Sequence, residues 1–184
     1  YGPRNSGSCQ EVYLMRKILL SIALLAVAAF SWPGASAETL PSPRGKPILE
    51  IKGRISVVNT PEETAIFDRE MLEKIGVTKV QTSTPWTDGR PVFEGVLVRD
   101  LLKQVGATGH QVTVIALNDY KATLPVSDFE KYPIILAHKM DGRLLKVRDK
   151  GPLWIIYPQD QFEELRDKSV HRKWVWQVKE MHVE

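Results

Sequence analysis

Residues 47–184 are divided into short, mostly apolar runs of strand length, and several of these runs end at a turn signal. The closing run KWVWQVKEMHV (173–183) alternates with a period of two, placing Trp174, Trp176 and Val178 on one face of a predicted strand. The Asp-Gly pair at 141–142 separates two apolar runs and predicts a tight hairpin. Further strand-like runs are ILEIKGRI (48–55), KVQT (79–82), QVTVIAL (111–117), KATLP (121–125) and LWIIY (153–157). Strands do not alternate regularly with long helices, so we predict a mixed α+β domain with few short helices rather than a doubly wound fold.

Helix signals are found in four places along the same residues. Asp68 is placed as an N-cap, with Gly76 as the stop. Between residues 98 and 105 four apolar side chains share one helical face, and Gly106 ends that segment. Two further pairs have the spacing of helix caps: Ser127 with Glu130, and Asp160 with Glu163.

The first 46 residues differ in composition from the rest. Residues 1–14 fit no leader pattern, and we interpret them as sequence upstream of the natural start. From Met15, two basic residues precede a mostly apolar stretch at 18–30, and ASA at 35–37 supplies small residues for cleavage. The apolar stretch is shorter than the roughly 20 residues that span a bilayer. We therefore predict a signal peptide at 15–37, a Pro-rich linker at 38–46 and a folded domain at 47–184. The predicted location is periplasmic or secreted, without a membrane span after cleavage.

Cysteine usage and charge narrow the chemistry that is available. The only cysteine is Cys9, so residues 10–184 have no disulfide, thiolate nucleophile or thiolate metal ligand. The net charge of +3 becomes +1 when the three basic residues and one acidic residue of positions 1–37 are removed. The sequence has no basic run with interleaved aromatic residues, so nucleic-acid binding is not predicted. No metal site is predicted, because the histidines form no ligand motif and are expected to be solvated at the surface: His110, His138, His171 and His182.

The loop VQTSTPWTDGR (80–90) combines several hydroxyl groups with one large flat side chain, but before its aspartate it has no acid, base, thiol or metal ligand. The turn RDKGP (148–152) carries Arg148 and Lys150 and is either an anion site or a solvated basic turn. Tyr120 either projects its hydroxyl into a cleft or packs its ring. Four tryptophans are expected in the core rather than on a stacking platform: Trp86, Trp154, Trp174 and Trp176.

Four motifs follow one another from residue 120: YKATLP (120–125), ILAHKMDG (135–142), RDKGPLWIIYP (148–158) and KW (173–174). Their order and spacing resemble the molybdopterin-binding domain of the sulfite oxidase family. That domain has a Tyr-x-Ala-Ser-Ile-Pro segment, an apolar strand with a Met-Asn-Gly turn, an Arg-Asp-His-Gly turn before a Pro-led strand, and a closing Lys-Trp. With FEGV and the helix after it, the resemblance covers nearly all of residues 47–184. It is closest to small exported proteins described as oxidoreductase molybdopterin-binding domain proteins.

The resemblance implies a sulfite oxidase-type fold with mixed sheets, and it also reveals departures from the family. The family's strand leads into a Gln-Cys pair whose cysteine binds molybdenum, and aligning Gln81 with that glutamine puts Thr82 at the ligand position. The family's Gly-Asn-Arg-Arg run has no counterpart in STPW. An arginine of the Pro-led strand is replaced by Trp154, and Lys150 stands where the family has histidine. A threonine hydroxyl cannot substitute for a soft thiolate, so molybdenum chemistry of the family's kind is not expected.

We therefore predict a cleft that binds a small polar or anionic ligand, or a periplasmic or membrane protein partner. The predicted cleft residues are Thr82, Thr84, Trp86, Asn118, Tyr120, Arg148, Lys150 and Lys173. No catalytic residue is assigned and no cofactor is expected, although the resemblance allows molybdopterin. The alternative is a molybdopterin-dependent oxidoreductase whose metal is held by the pterin dithiolene alone. A third interpretation is a protein that only interacts with partners through Trp86 and its neighbours. The sequence leaves the oligomeric state open.

Overall fold

The computed structural model describes Gly2 and residues 40–184. Apart from Gly2, the predicted upstream segment (1–14), the signal peptide (15–37) and the first two linker residues lie outside the described residues. Within the described part of the chain, no helix is long and apolar enough to cross a membrane.

Ten short strands and four short helices make up the described chain, together with two 3-10 turns at Val147–Asp149 and Glu163–Arg166. The strands are β1 (Leu49–Gly53), β2 (Ala65–Phe67), β3 (Thr78–Gln81), β4 (Val92–Leu97), β5 (Gln111–Ala116), β6 (Lys121–Pro125), β7 (Ile135–Met140), β8 (Arg143–Leu144), β9 (Trp154–Ile156) and β10 (Val178–Val183). The helices are α1 (Arg69–Ile75), α2 (Val98–Gln104), α3 (Val126–Lys131) and α4 (Lys168–His171). The predicted α+β class is confirmed. The sequence patterns did not predict β2 and β4.

The first sheet has the strand order β2-β1-β10-β5-β6. Its only parallel pair is β1 with β10, in the register Ile51 opposite Met181, and its other pairs are antiparallel. The apolar residues of β1 and β10 are buried and the polar residues between them are partly exposed, in an alternation that is interrupted only at the register shift between Val178 and Glu180. The parallel pair joins the first and last strands of the domain, which closes the fold.

The second sheet has the order β3-β4-β7-β8, with β9 also pairing with β7, and all its pairs are antiparallel. Asp141 and Gly142 form the predicted turn between β7 and β8, both with positive φ. Gly95 lies at a register shift between β4 and β7, where an added Cβ would clash with the backbone of Leu136 and Ala137. A side chain at this position would therefore force the two strands apart.

Three of the predicted helix boundaries are confirmed, including Gly76 at the end of α1, and two cap predictions are wrong. Asp68 caps α1 by accepting a hydrogen bond from Met71 N at 2.9 Å, and Gly106 (φ 59°) follows α2. Ser127 forms no capping box, because α3 already begins at Val126 and has no side-chain cap. Asp160 also caps no helix. The following 3-10 turn begins after Phe162, and the Asp160 carboxylate is used elsewhere in the fold.

The closing strand begins later than its periodicity predicts. Only Val178–Val183 is a strand, because Gln177 has φ 53° and breaks the extended conformation. Residues 173–177 are irregular, although Trp176 forms an isolated bridge with Trp154. The two tryptophans of this segment therefore do not share one strand face: Trp174 is buried and Trp176 is only partly buried.

Both sheets contribute to a single cluster of buried apolar side chains. Ile51 and Val114 enter it from the first sheet, and Phe93 and Ile155 from the second. Among the tryptophans, Trp154 and Trp174 are buried as predicted, whereas Trp86 and Trp176 are only partly buried. The predicted core position is therefore confirmed for Trp154 and Trp174, whereas Trp86 and Trp176 pack against the core cluster without being fully buried.

Candidate functional site

The loop between β3 and β4 is closed by its own hydroxyl groups. Thr82, the first residue after β3, is fully buried; its Oγ1 donates to Ser83 O and accepts from Asp160 N, both at 3.3 Å. Thr84 Oγ1 is 2.8 Å from Thr87 Oγ1 and accepts from Trp86 N at 3.1 Å. These hydroxyls hold the loop in shape, and neither Thr82 nor Thr84 lines either of the two cavities beside Trp86.

Asp160, which is distant in the sequence, holds the first residues of this loop in place through its carboxylate. Its carboxylate accepts hydrogen bonds from Ser83 N, Ser83 Oγ and Arg90 Nε, each at 2.8 Å. Gln159 Nε2 donates to Ser83 O at 2.9 Å. Burial opposes ionisation of Asp160, but the hydrogen bonds from Ser83 and the Arg90 charge outweigh it and hold the pKa of the carboxyl below its usual range. The backbone amide that follows Thr82 is therefore already bound to an anionic side chain.

The Trp86 side chain packs inside a ring of other aromatic side chains. Its ring centroid lies 5.2 Å from that of Trp176 and 6.0 Å from those of Trp174 and His171, in edge-to-face arrangements. Trp154 is 6.4 Å away. The Trp86 side chain is part of the wall of two cavities.

The first cavity has a volume of about 220 Å³ and is mainly aromatic. It brings together three predicted residues: Trp86, Asn118 and Tyr120. The Tyr120 hydroxyl donates to Arg172 O at 2.9 Å, so its proton is engaged by the backbone of α4's C-terminal cap. Asn118 Oδ1 accepts from Tyr120 N at 3.2 Å, which shapes the turn between β5 and β6.

Sequence reasoning missed two residues in the wall of this first cavity, one of which, Arg172, carries a positive charge. His171 and Arg172 line it beside Trp174 and Trp176. Arg172 is exposed, and its guanidinium forms no ion pair with the residues that the structure describes. The only available signal was their position directly before Lys173-Trp174, since the segment forms no recognisable motif.

The second cavity, of about 600 Å³, contains the two basic residues of the RDKG turn. Arg148 Nε lies 3.6 Å from Asp149 Oδ2, and Lys150 Nζ lies 5.6 Å from the centroid of the Trp154 ring. Carboxylates share this wall: Asp88, Asp141 and Asp149. Three carboxylates offset the two positive charges, so the cavity does not favour an anion. Of the two interpretations of the RDKGP turn, this supports the solvated basic turn.

Lys173 is not brought together with Arg148 and Lys150. Its Nζ lies 2.7 Å from Asp128 Oδ2, and the Tyr157 hydroxyl donates to the same oxygen at 3.2 Å. Burial, together with the Asp128 charge, raises the pKa of Tyr157 well above its usual range. The Lys173–Asp128 pair is mostly buried. Lys173 therefore binds α3 through Asp128 and lines neither cavity.

His138 differs from the solvated histidine that the sequence predicts. It is 1% exposed on β7, with Nε2 3.1 Å from Glu73 Oε1. Burial lowers the pKa of His138, although the Glu73 carboxylate partly opposes this. Lys139 Nζ donates to the same Glu73 oxygen at 3.1 Å. Over the described residues, Gly2 and 40–184, no group of three or more His, Cys, Asp or Glu side chains is arranged to hold a metal ion.

Comparison with known proteins agrees with this fold. The family model for the oxidoreductase molybdopterin binding domain matches residues 68–182. Among solved structures, the sulfane dehydrogenase SoxCD from Paracoccus pantotrophus is similar, with a TM-score of 0.54 and 16% identity. The match covers 73% of this chain but only 37% of that chain, and at this identity it supports the fold alone. No curated protein is similar enough to count as a match.

Thr82, at the position that the resemblance gives to the metal-binding cysteine, does not fit molybdenum bound through a protein side chain. Thr82 carries an alcohol that is fully buried and already hydrogen-bonded on both sides. An alcohol is a hard donor that stays protonated at neutral pH, whereas the resemblance implies a soft thiolate at this position. The Ser83 amide next to Thr82 already donates to the Asp160 carboxylate, so it is not free to bind another anionic group.

Proposed function

The chain belongs to the oxidoreductase molybdopterin-binding domain family, and from that membership and the chemistry of its cleft we propose that it is a binding module that has lost molybdenum catalysis. It takes a small polar or anionic ligand in the first cavity, beside Trp86. The observation that carries the proposal is the buried, hydrogen-bonded hydroxyl of Thr82 at the position that the resemblance gives to the metal-binding cysteine.

The energetics of Thr82 make recovery of a metal ligand unfavourable. Freeing Oγ1 would break its two hydrogen bonds and leave the Asp160 amide without a partner. An unsatisfied buried polar group costs about 1–3 kcal/mol. Ionising the alcohol in a buried position beside the Asp160 carboxylate would add a second, larger cost. The loop is therefore stabilised in a form that binds no metal.

The first cavity offers what a small planar anion requires. Trp86, Trp174 and Trp176 provide flat apolar walls against which a ring or a delocalised group can pack. Arg172 supplies a positive charge and several N–H donors at the rim. Asn118 adds an amide group on the facing turn. A compact aromatic carboxylate or a simple oxyanion matches this combination in charge and size.

The predicted signal peptide at 15–37 extends the proposal to location. An exported chain would meet its ligand in the periplasm or outside the cell. A protein partner in the same compartment is the remaining possibility for the exposed part of the loop, where Pro85 and Asp88 lie next to Trp86.

Titration calorimetry with sulfite, sulfate and benzoate tests the ligand proposal. At least one of these anions should bind with measurable heat. Arg172→Ala should weaken that binding about tenfold, because one charge-assisted hydrogen bond is worth roughly 1.5–3 kcal/mol and the site is open to water. Arg99→Ala is the matched control, since Arg99 is exposed on α2 and lines neither cavity. Absence of heat with all three anions, or equal effects of both substitutions, would contradict the proposal.

A further inference from the structure

A groove of about 570 Å³ lies apart from the Trp86 cavities and shares no lining residue with them. It runs between the β1–β2 side of the first sheet and the β7–β8 hairpin of the second. Most of its lining residues are apolar, among them Ile48 and Leu145. The family resemblance assigns no role to this groove.

Apolar side chains are left exposed along the groove. The described residues include five large apolar side chains that are exposed, and three of them line it: Leu117 (45% exposed), Leu144 (43%) and Val147 (54%). Exposed apolar side chains rarely cluster on a surface that has no partner, because apolar area left in contact with water does not contribute the stabilisation that burial would give. Scattered exposed leucines would need no explanation, but three around one groove do.

The rim of the groove is mainly basic. Four cationic residues surround it, with one carboxylate, Glu50, among them: Lys46, Arg69, Lys146 and Lys179. Lys179 is paired with Asp119 at 2.8 Å, whereas Lys46 and Lys146 are exposed and form no ion pair with the described residues. The Arg69 Nε atom is buried without a hydrogen-bond partner. The rim therefore has an excess of positive charge that the described chain does not neutralise.

We propose that this groove binds an acidic segment of a partner protein, in which carboxylates are interspersed with apolar side chains. The apolar side chains cover Leu117, Leu144 and Val147, and the carboxylates lie against Lys46 and Lys146. Charge complementarity of this kind steers association and excludes wrong partners. The short edge strand β8 beside the groove leaves backbone groups on its open side available to an extended segment.

Other occupants fit the charge and the shape less well. A second copy placed face to face would bring two basic rims together. Residues 1–39 of this chain carry three basic and two acidic residues, so they do not supply the missing negative charge. An anionic bilayer would attract the lysines, but a flat surface cannot reach apolar side chains that line a concave groove.

Fluorescence anisotropy with a labelled peptide tests this inference. The probe is a short peptide in which pairs of glutamates alternate with pairs of leucines, and its binding should weaken as salt is raised. Lys146→Glu should reduce the affinity about fivefold, and Leu144→Ser should also reduce it. Lys103→Glu, an exposed lysine on α2 away from the groove, should leave it unchanged. Circular dichroism melts confirm that each variant is folded.

Three results would overturn the inference. In the first, a peptide with lysine in place of glutamate binds as well as the acidic probe, or the acidic probe does not bind. In the second, sedimentation shows a dimer that Lys146→Glu dissociates, which assigns the groove to a second copy. In the third, the chain binds phosphatidylglycerol vesicles through Lys146 and Leu144, which assigns the groove to a membrane.

Discussion

Replacing Asp160 with alanine should loosen the loop that carries Trp86, because this one carboxylate anchors the loop's first residues. It accepts two hydrogen bonds from Ser83 and one from Arg90, all at 2.8 Å. Hydrogen bonds to a charged acceptor contribute about 1.5–3 kcal/mol each. The Arg90 side chain is 60% exposed, so its share falls below about 1 kcal/mol. We expect Asp160→Ala to lower the free energy of unfolding by about 3 kcal/mol.

Urea unfolding followed by tryptophan fluorescence measures this change, with Asp88→Ala as the control. Asp88 is an exposed acid in the same loop, and its loss should change stability by less than about 0.5 kcal/mol. The pKa of Asp160 is lowered in the folded state, so its contribution is complete above the ordinary pKa of about 4 and is lost as pH falls through the folded value. The alanine variant should therefore lose less stability on acidification than the natural chain. A loss below about 1 kcal/mol at neutral pH would refute the anchoring role.

Three further predictions concern separate parts of the molecule. Trp86→Ala should abolish benzoate or oxyanion binding, and an unchanged affinity would contradict its place in the site. The same substitution should lower the free energy of unfolding in urea by about 2–3 kcal/mol, which is less than for a fully buried tryptophan because Trp86 is only partly buried. Lys173→Met should lower the free energy of unfolding by about 2 kcal/mol, because Asp128 loses its cationic partner. The anion affinity measured by calorimetry should not change, and a loss of affinity would show that Lys173 reaches the ligand. The pKa of His138 is lowered in the folded state, so the unfolded chain binds the proton more readily, and the free energy of unfolding should fall as pH drops below about 6.5. His138→Gln should remove this part of the pH dependence of stability. Identical pH profiles for the variant and the natural chain would contradict the prediction.

Local chemistry made several elements of this fold predictable. Asp68 and Gly76 delimit α1 because a cap and a stop act within one helical turn. The turn at Asp141 and Gly142 is predictable for the same reason, since positive φ at both positions selects a few residue types. Strands such as β5 follow from alternation that needs no knowledge of distant residues.

Contacts between distant residues account for most of what the sequence did not predict. Asp160 has the spacing of a helix cap, but it binds Ser83, 77 residues earlier, and no local pattern records that preference. Lys173 resembles a cleft cation in sequence, yet its partner Asp128 is 45 residues away. The parallel pairing of β1 with β10 likewise depends on both ends of the domain.

The candidate site was predicted in part for the same reasons. Trp86, Asn118 and Tyr120 line one cavity, and each lies in a loop next to a predicted strand. Arg172 was missed because it lies in a short helical segment without a motif. Thr82 and Thr84 were correctly placed in the loop between β3 and β4, but their side chains face the loop itself, which only the three-dimensional arrangement reveals.

The molybdenum content of protein purified from the organism that produces it tests the central claim most directly. Elemental analysis by mass spectrometry, on material that was never exposed to chelators, should find molybdenum far below one atom per chain. On the proposed function, the buried Thr82 alcohol stands where the resemblance places the metal-binding cysteine, and an alcohol does not replace a thiolate ligand. One molybdenum atom per chain, retained through purification, would contradict the account and identify the protein as a molybdenum enzyme whose metal is held by its pterin alone.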